Sequence, residues 1–241
     1  MRHEGIRIRD DEPWSSPVTL GQAFMALALV LLAEVVVIVG CLGTVKVARL
    51  PAPSLSGIVL LLTVATGAAA GVLVLLARRL GLSWRRLGFD RPGRRILHVL
   101  WQAPVAVLAS GATASAVLVL TTGSPRGSSA TDSLEGLTST SPVVLCLGLL
   151  LVVVVVPILE ETLFRGLLFA GFFRRLGPVG AVVGSGAIFA AFHVLPILWA
   201  YLLPLGLCLG WIRWFHRNVW ASVMLHAFNN ALTMWALLAA R

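Results

Sequence analysis

Charge is scarce in this chain: of 241 residues, 12% are Asp, Glu, Lys or Arg, while 58% are hydrophobic. A soluble domain carries about a quarter charged residues, so the composition excludes a soluble enzyme and indicates an integral membrane protein. Cysteine is almost absent. Cys41, Cys146 and Cys208 lie far apart in apolar runs, with no zinc spacing and no disulfide framework, and read as buried, inert thiols. Acids are few as well, ten in all, and Glu34, Glu160 and Glu161 lie inside apolar runs. No internal repeat is evident, and no segment outside the apolar runs is long enough to fold alone. The net charge of +9 is mostly arginine in short stretches between those runs. That pattern marks membrane topology and argues against a nucleic-acid partner.

What is present is a series of long apolar runs. Arg2, Arg7 and Arg9 precede the first, from Val18 to Val45, and Ile38-Val39-Gly40-Cys41 looks like a lipoprotein cleavage box. The run is too long for a signal core of 7–15 residues and Glu34 interrupts it, so it reads as a retained first transmembrane helix. About 20 apolar residues cross a bilayer. On that scale seven spans are predicted, at roughly 18–45, 57–77, 96–120, 143–172, 178–195, 197–214 and 219–239. The expected fold is an all-α integral membrane protein with a polar site within the bundle. Its divisions are a polar tail (1–17), helices one to three (18–120), an outer loop (121–142) and helices four to seven (143–241).

Arginine sets the orientation. Arg78, Arg79, Arg85, Arg86, Arg91, Arg94 and Arg95 crowd one connection, while Arg174 with Arg175, and Arg213 with Arg217, mark two further turns. The Ser/Thr/Gly-rich stretch 121–142 has Arg126 as its one cation. A cytoplasmic N-terminus and an outer C-terminus satisfy these signals, with Lys46 and Arg49 in the first outer loop as a mild exception.

Three polar clusters sit inside the later runs. The first is Glu160-Glu161-x-x-x-Arg165. Ionisable residues at a helix centre cost about 2.5–3.5 kcal/mol each on insertion scales, so they persist where they pair, line a cavity or do chemistry. Residues four apart share a helix face; Glu161 can therefore pair with Arg165, while Glu160 points about 100° away and is left for acid/base work. Pro157, one turn upstream, cannot donate to the Val153 carbonyl and frees a polar backbone group there. The second cluster is Phe189-x-x-x-His193. Glu160 and His193 lie at comparable depth in a hairpin turning at Arg174-Arg175, ~20–27 Å of helix from that turn. An imidazole can thus meet a carboxylate in the geometry that activates water. The third is His226-x-x-x-Asn230, whose N–H groups can polarise a carbonyl or hold an oxyanion. Taken singly, each cluster also reads as plain helix-to-helix bonding: a fixed salt bridge, a satisfied core histidine, or Asn and His joining helices.

Together, in this order, the three clusters resemble one family: the CAAX protease and bacteriocin-processing (Abi) family, or type II CAAX prenyl endopeptidases. The resemblance covers about residues 143–235 and extends weakly to Trp84-Arg-Arg-Leu-Gly-Phe-Asp-Arg-Pro-Gly93. It implies an intramembrane endopeptidase in which Glu160 and His193 activate the attacking water. His226 and Asn230 would stabilise the oxyanion, Glu161 and Arg165 organise the site, and Phe189 packs it. Whether a divalent metal such as zinc takes part is open. Glu160, His193 and His226 would supply a two-histidine, one-carboxylate set, yet there is no His-Glu-x-x-His, and a glutamate on a metal is not free to be the base.

Other polar residues are read as accessory. Glu34 lines the cavity or pairs with a residue such as Gln102; His98 and Gln102 sit at the interface; His216 is solvated in a basic turn. The expected partners are the bilayer and a peptide or membrane-tethered protein substrate, in a plasma membrane. The single lysine and Arg/Ala/Gly/Val-rich make-up suggest a GC-rich bacterium. A non-enzymatic immunity or scaffold protein on the same fold is the alternative. An ion-coupled transporter would call for repeats that are not seen.

Overall fold

The computed structural model describes residues 18–51, 53–122, 141–193 and 195–239. Among these residues it is all-helical. The predicted tail 1–17 and most of the predicted outer loop 121–142 lie outside the described residues.

Helix α1 spans Leu20–Val47 and opens on a reciprocal cap between Thr19 and Gln22. Helix α2 (Leu55–Arg79) is capped by Ser54 and ends in two arginines. A connector with a short 3₁₀ turn, Arg94–His98, leads into α3, Val99–Thr122. A long helical rod then begins at Ser141, whose side chain caps α4 (Pro142–Leu150) with Pro142 in the first turn, where its missing N–H costs nothing. The rod continues through a π segment (Leu151–Val155), α5 (Val156–Glu161), a second π segment (Thr162–Leu168) and α6 (Phe169–Phe192). A 3₁₀ turn, Pro196–Leu198, joins it to α7 (Trp199–His216), and α8 runs Val219–Ala239.

Five helical stretches are long and apolar enough to cross a membrane, one of them the 51-residue rod Pro142–Phe192. At 1.5 Å per residue that rod would measure about 76 Å, more than twice a ~30 Å hydrocarbon core. It is divided at Gly177, whose backbone (φ 71°, ψ −169°) is non-helical and is followed by Pro178. Only glycine adopts that conformation without strain. The predicted turn near Arg174-Arg175 therefore falls at Gly177-Pro178, and α6 doubles back. Helix α8 is not among the five, although 21 residues suffice in length; Ser222, His226, Asn229 and Asn230 interrupt its apolar run.

The outer faces carry many exposed large apolar side chains, such as Leu32, Val36, Leu60, Leu108 and Trp235, as lipid-facing helices do. Cys41 and Cys146 lie exposed on such faces and only Cys208 is partly enclosed, which corrects the expectation of buried thiols: an apolar run in a bilayer has no need to turn a thiol inward. The core sits where α6, α7 and α8 meet the second π segment. There α6 and α7 touch backbone to backbone. A Cβ on Gly206 would lie 2.7 Å from the Gly186 carbonyl oxygen, and one on Gly210 3.1 Å from Val182 Cα. Small residues four apart allow such close approach between membrane helices.

Three sequence expectations need correction. Arg213 is not a solvated turn cation: it is 1% exposed, donates from Nε to the Arg165 carbonyl at 3.2 Å and lies 5.7 Å from the Phe169 ring centroid. His216 is not solvated either; it is half-buried, with Nε2 2.7 Å from Gln102 Oε1. Gln102 is thereby engaged away from Glu34. Arg213 is admitted because Gly88 (φ 91°) has no side chain: a Cβ there would stand 2.4 Å from an Arg213 nitrogen.

Candidate active site

The two glutamates lie at the C-terminal end of α5, between the π segments. A π turn shifts the register from i→i+4 toward i→i+5 and is rare outside functional sites. Pro157 accounts for the first segment: lacking an N–H, it serves neither the Val153 carbonyl in α register nor Val152 in π register. The Val152 carbonyl accepts instead from Asn230 Nδ2 of α8, at 2.9 Å. The backbone group freed by proline thus ties α8 to the rod. The second segment turns Arg165 inward and exposes its carbonyl to Arg213.

Glu161 and Arg165 are both 0% exposed and meet at 2.9 Å between Oε1 and Nη1. Arg165 also donates from Nη2 to the Gly206 carbonyl at 2.9 Å, and its guanidinium carbon stands 4.7 Å from the Phe189 ring centroid. One face of the guanidinium is thus met by an aromatic ring, and two of its edges by oxygen, which is the surrounding a buried arginine requires. His226 Nδ1 lies 2.9 Å from the same Glu161 oxygen. A carboxylate oxygen is an acceptor, so Nδ1 carries the proton and Nε2 faces away from Glu161. Its neighbour there is Glu160: His226 Nε2 and Glu160 Oε2 are 3.9 Å apart, beyond hydrogen-bond reach. Adjacent in sequence, the two glutamates differ in their partners. Oε1 of Glu161 is held by a cation and an imidazole, whereas Glu160 is 15% exposed and accepts no hydrogen bond among the described residues; the buried Oε2 of each is without a partner.

His193 ends α6. Its Nδ1 is 2.9 Å from the Phe189 carbonyl oxygen, which can only accept, so Nδ1 bears the proton and Nε2 is left with a lone pair. The ring of Phe189 links the two histidines, its centroid 4.9 Å from that of His193 and 5.5 Å from that of His226. Among the described residues Glu160 and His193 form no ion pair or hydrogen bond. The carboxylate closest to an imidazole is paired instead with His226, because α8 packs against α5 where the two clusters face each other.

Asn230 is fixed by a chain that sequence reasoning missed. Tyr201, the chain's one tyrosine, donates to Asn229 Oδ1 at 2.5 Å. Asn229 Nδ2 donates to Asn230 Oδ1 at 3.1 Å, and Asn230 Nδ2 reaches Val152. With its oxygen and one N–H engaged, Asn230 keeps a single N–H to offer. The adjacent Asn229-Asn230 pair was the available signal; the tyrosine gave none, because it comes from another helix. Glu34 of α1 is half-buried and within electrostatic reach of Glu160, so the first span borders the site.

Among the described residues Glu160, His193 and His226 are not drawn together as a ligand set. Glu161 and His226 Nδ1 are committed to each other, and two ligands about 2.1 Å from a tetrahedral zinc would stand nearer together than the 3.9 Å between His226 Nε2 and Glu160 Oε2. Among the described residues no three His, Cys, Asp or Glu side chains are grouped to hold one.

Against known proteins, residues 142–232 match the family model described as Rce1-like: type II CAAX prenyl endopeptidase Rce1-like. No curated protein and no solved structure matches the chain. The matched stretch contains Glu160, Glu161, Arg165, His193, His226 and Asn230.

Proposed function

We propose, from the match of residues 142–232 to the Rce1-like family of type II CAAX prenyl endopeptidases, that the chain is an intramembrane endopeptidase of that family that cleaves a membrane-associated peptide or protein by directly activated water. The observation that carries this reading is the unpartnered Oε2 of Glu160 beside an imidazole in the interior of a helix bundle. Glu161 has one oxygen held by Arg165 and His226, whereas Glu160 accepts no hydrogen bond among the described residues and is available to take a proton.

In this mechanism Glu160, with the lone pair of His193 Nε2 in support, removes a proton from water. The hydroxide adds to the carbonyl carbon of the scissile bond. The oxyanion is met by the one remaining N–H of Asn230 and by Nε2–H of His226 in its doubly protonated form, whose Nδ1–H stays on Glu161. Collapse of the intermediate breaks the C–N bond, and the proton held by Glu160 passes to the leaving amine. Glu161 and Arg165 touch no reacting atom; Glu161 balances the charge of His226 and, with Arg165, fixes the orientation the step needs. Substrates are membrane-tethered proteins or peptides, in a plasma membrane with the arginine-rich connector 80–93 on the cytoplasmic side.

The test uses purified protein reconstituted with a cleavable host substrate. Glu160→Ala and His193→Ala should each insert and fold normally and lose cleavage by at least ~100-fold, the scale of general-base removal. Normal cleavage by both variants would contradict these roles.

A further inference from the structure

A cavity lies between α2 and the helix that carries the two glutamates. Its volume is about 550 Å³, within the ~300–1,000 Å³ range of small-ligand sites. Ala70, Val74 and Ala77 of α2 form one wall, and Ile158, Leu159 and Thr162 form the other. None of Glu160, Glu161, His193, His226 and Asn230 lines the cavity, so it is separate from the carboxylate site, although Ile158 and Leu159 belong to the same short helix as the two glutamates.

Its interior is apolar and its mouth is not. Arg78, in the last turn of α2, and Trp84, in the connector, line the opening. Three of the neighbouring arginines are already engaged. Arg85 pairs with Asp90 at 3.8 Å, Arg86 donates to the Gly81 carbonyl at 3.2 Å, and Arg95 donates to the Phe215 carbonyl at 3.3 Å while covering its ring. Asp90 is the one acid between residues 78 and 95, against seven arginines. Arg78 is exposed and its side chain makes no hydrogen bond or ion pair among the described residues.

We infer that this groove is a binding site for an anionic glycerophospholipid, with an acyl chain between α2 and α5 and the headgroup phosphate on Arg78. An apolar slot open to the bilayer accepts a chain of the surrounding lipid. An arginine at the headgroup level without a carboxylate partner selects a phosphate of net negative charge, and a tryptophan beside it suits the same interface. The bound chain would rest on Ile158, Leu159 and Thr162. It thereby props the short helix that lies between the two π segments.

The experiment is native mass spectrometry of the full chain in detergent, titrated with phosphatidylglycerol or phosphatidylcholine. It reads bound lipid without any cleavage, so it stands or falls apart from the endopeptidase reading. Wild type should retain phosphatidylglycerol over phosphatidylcholine. Arg78→Gln should bind phosphatidylglycerol about fivefold more weakly with phosphatidylcholine unchanged, while Arg79→Gln, outside the groove, should match wild type. Ala77→Phe should lose both lipids. Equal retention of the two lipids by wild type, or equal losses in Arg78→Gln and Arg79→Gln, would overturn the site. Displacement of phosphatidylglycerol by a lipidated peptide would overturn its occupant in favour of a substrate chain.

Discussion

At the scale of residues, the site rests on how each buried charge is met. Arg165 serves three partners at once: the Glu161 carboxylate, the Gly206 carbonyl and the Phe189 ring. Removing one member of a fully buried pair leaves the other uncompensated, at a cost of about 3–5 kcal/mol. Arg165→Ala should therefore reduce the amount of folded protein in the membrane, seen as lost thermal resistance in detergent. Arg165→Lys should recover only part of it, because an ammonium lacks the planar fork that reaches both oxygens. Glu160→Gln should leave that resistance unchanged, since Glu160 Oε2 bonds to nothing. Tyr201→Phe is a finer probe. It leaves Asn229 Oδ1 without its donor, which should cost about 1 kcal/mol, readable as a small fall in the same melting measurement. It should also slow cleavage more than it weakens substrate binding, by loosening Asn230. A change in stability with cleavage intact would confine Tyr201 to holding the helices together.

At the scale of elements, the i,i+4 pairing of Glu161 with Arg165 and the turn after Arg175 were legible in the sequence because both depend on local spacing. The π segments were not. No residue pattern distinguishes Leu151–Val155 from its α-helical alternative, and only the missing N–H of Pro157 hinted at a disturbed ladder. Which partner the freed carbonyl would find, Asn230 of α8, depends on packing between distant parts of the chain. The inward turn of Arg213 was hidden for the same reason: an arginine near a turn reads as solvated unless the glycine that makes room for it, Gly88, is known to face it. The glycine contact between α6 and α7 yields a prediction at this scale. Gly206→Ala would place a Cβ 2.7 Å from the Gly186 carbonyl oxygen, in contact with backbone that cannot rotate away. It should destabilise the protein by about 1–3 kcal/mol and, by pushing α7 outward, withdraw the Gly206 carbonyl from Arg165. The expected result is a lower melting temperature together with lost activity, whereas Gly67→Ala, with open space around it, should alter neither.

At the scale of the whole molecule, composition alone identified an all-helical membrane protein. The predicted spans correspond to helices within a few residues, apart from the fused rod that Gly177 divides. The predicted set of seven crossings compares with five stretches that meet the membrane criterion, since the rod counts once and α8 trades apolar residues for the polar ones that face α5. The polar residues that gather between the late helices stood out in the sequence because an ionisable residue in an apolar helix contrasts with its background. Their pairings were only partly legible: counting residues along a hairpin brought His193 toward Glu160, but the fold sets His226 there and links His193 through Phe189. Depth can be counted along a chain, whereas the rotation and crossing of helices come from packing.

The central claim is that Glu160 cleaves peptide bonds within the membrane. The most direct measurement compares protein termini in host membranes carrying wild type or Glu160→Ala at equal levels. New termini should appear only with wild type, identifying the substrate and the cleaved bond together. Identical sets of termini from the two membranes, with both proteins folded and inserted, would contradict the claim and favour an immunity or scaffold role on the same fold.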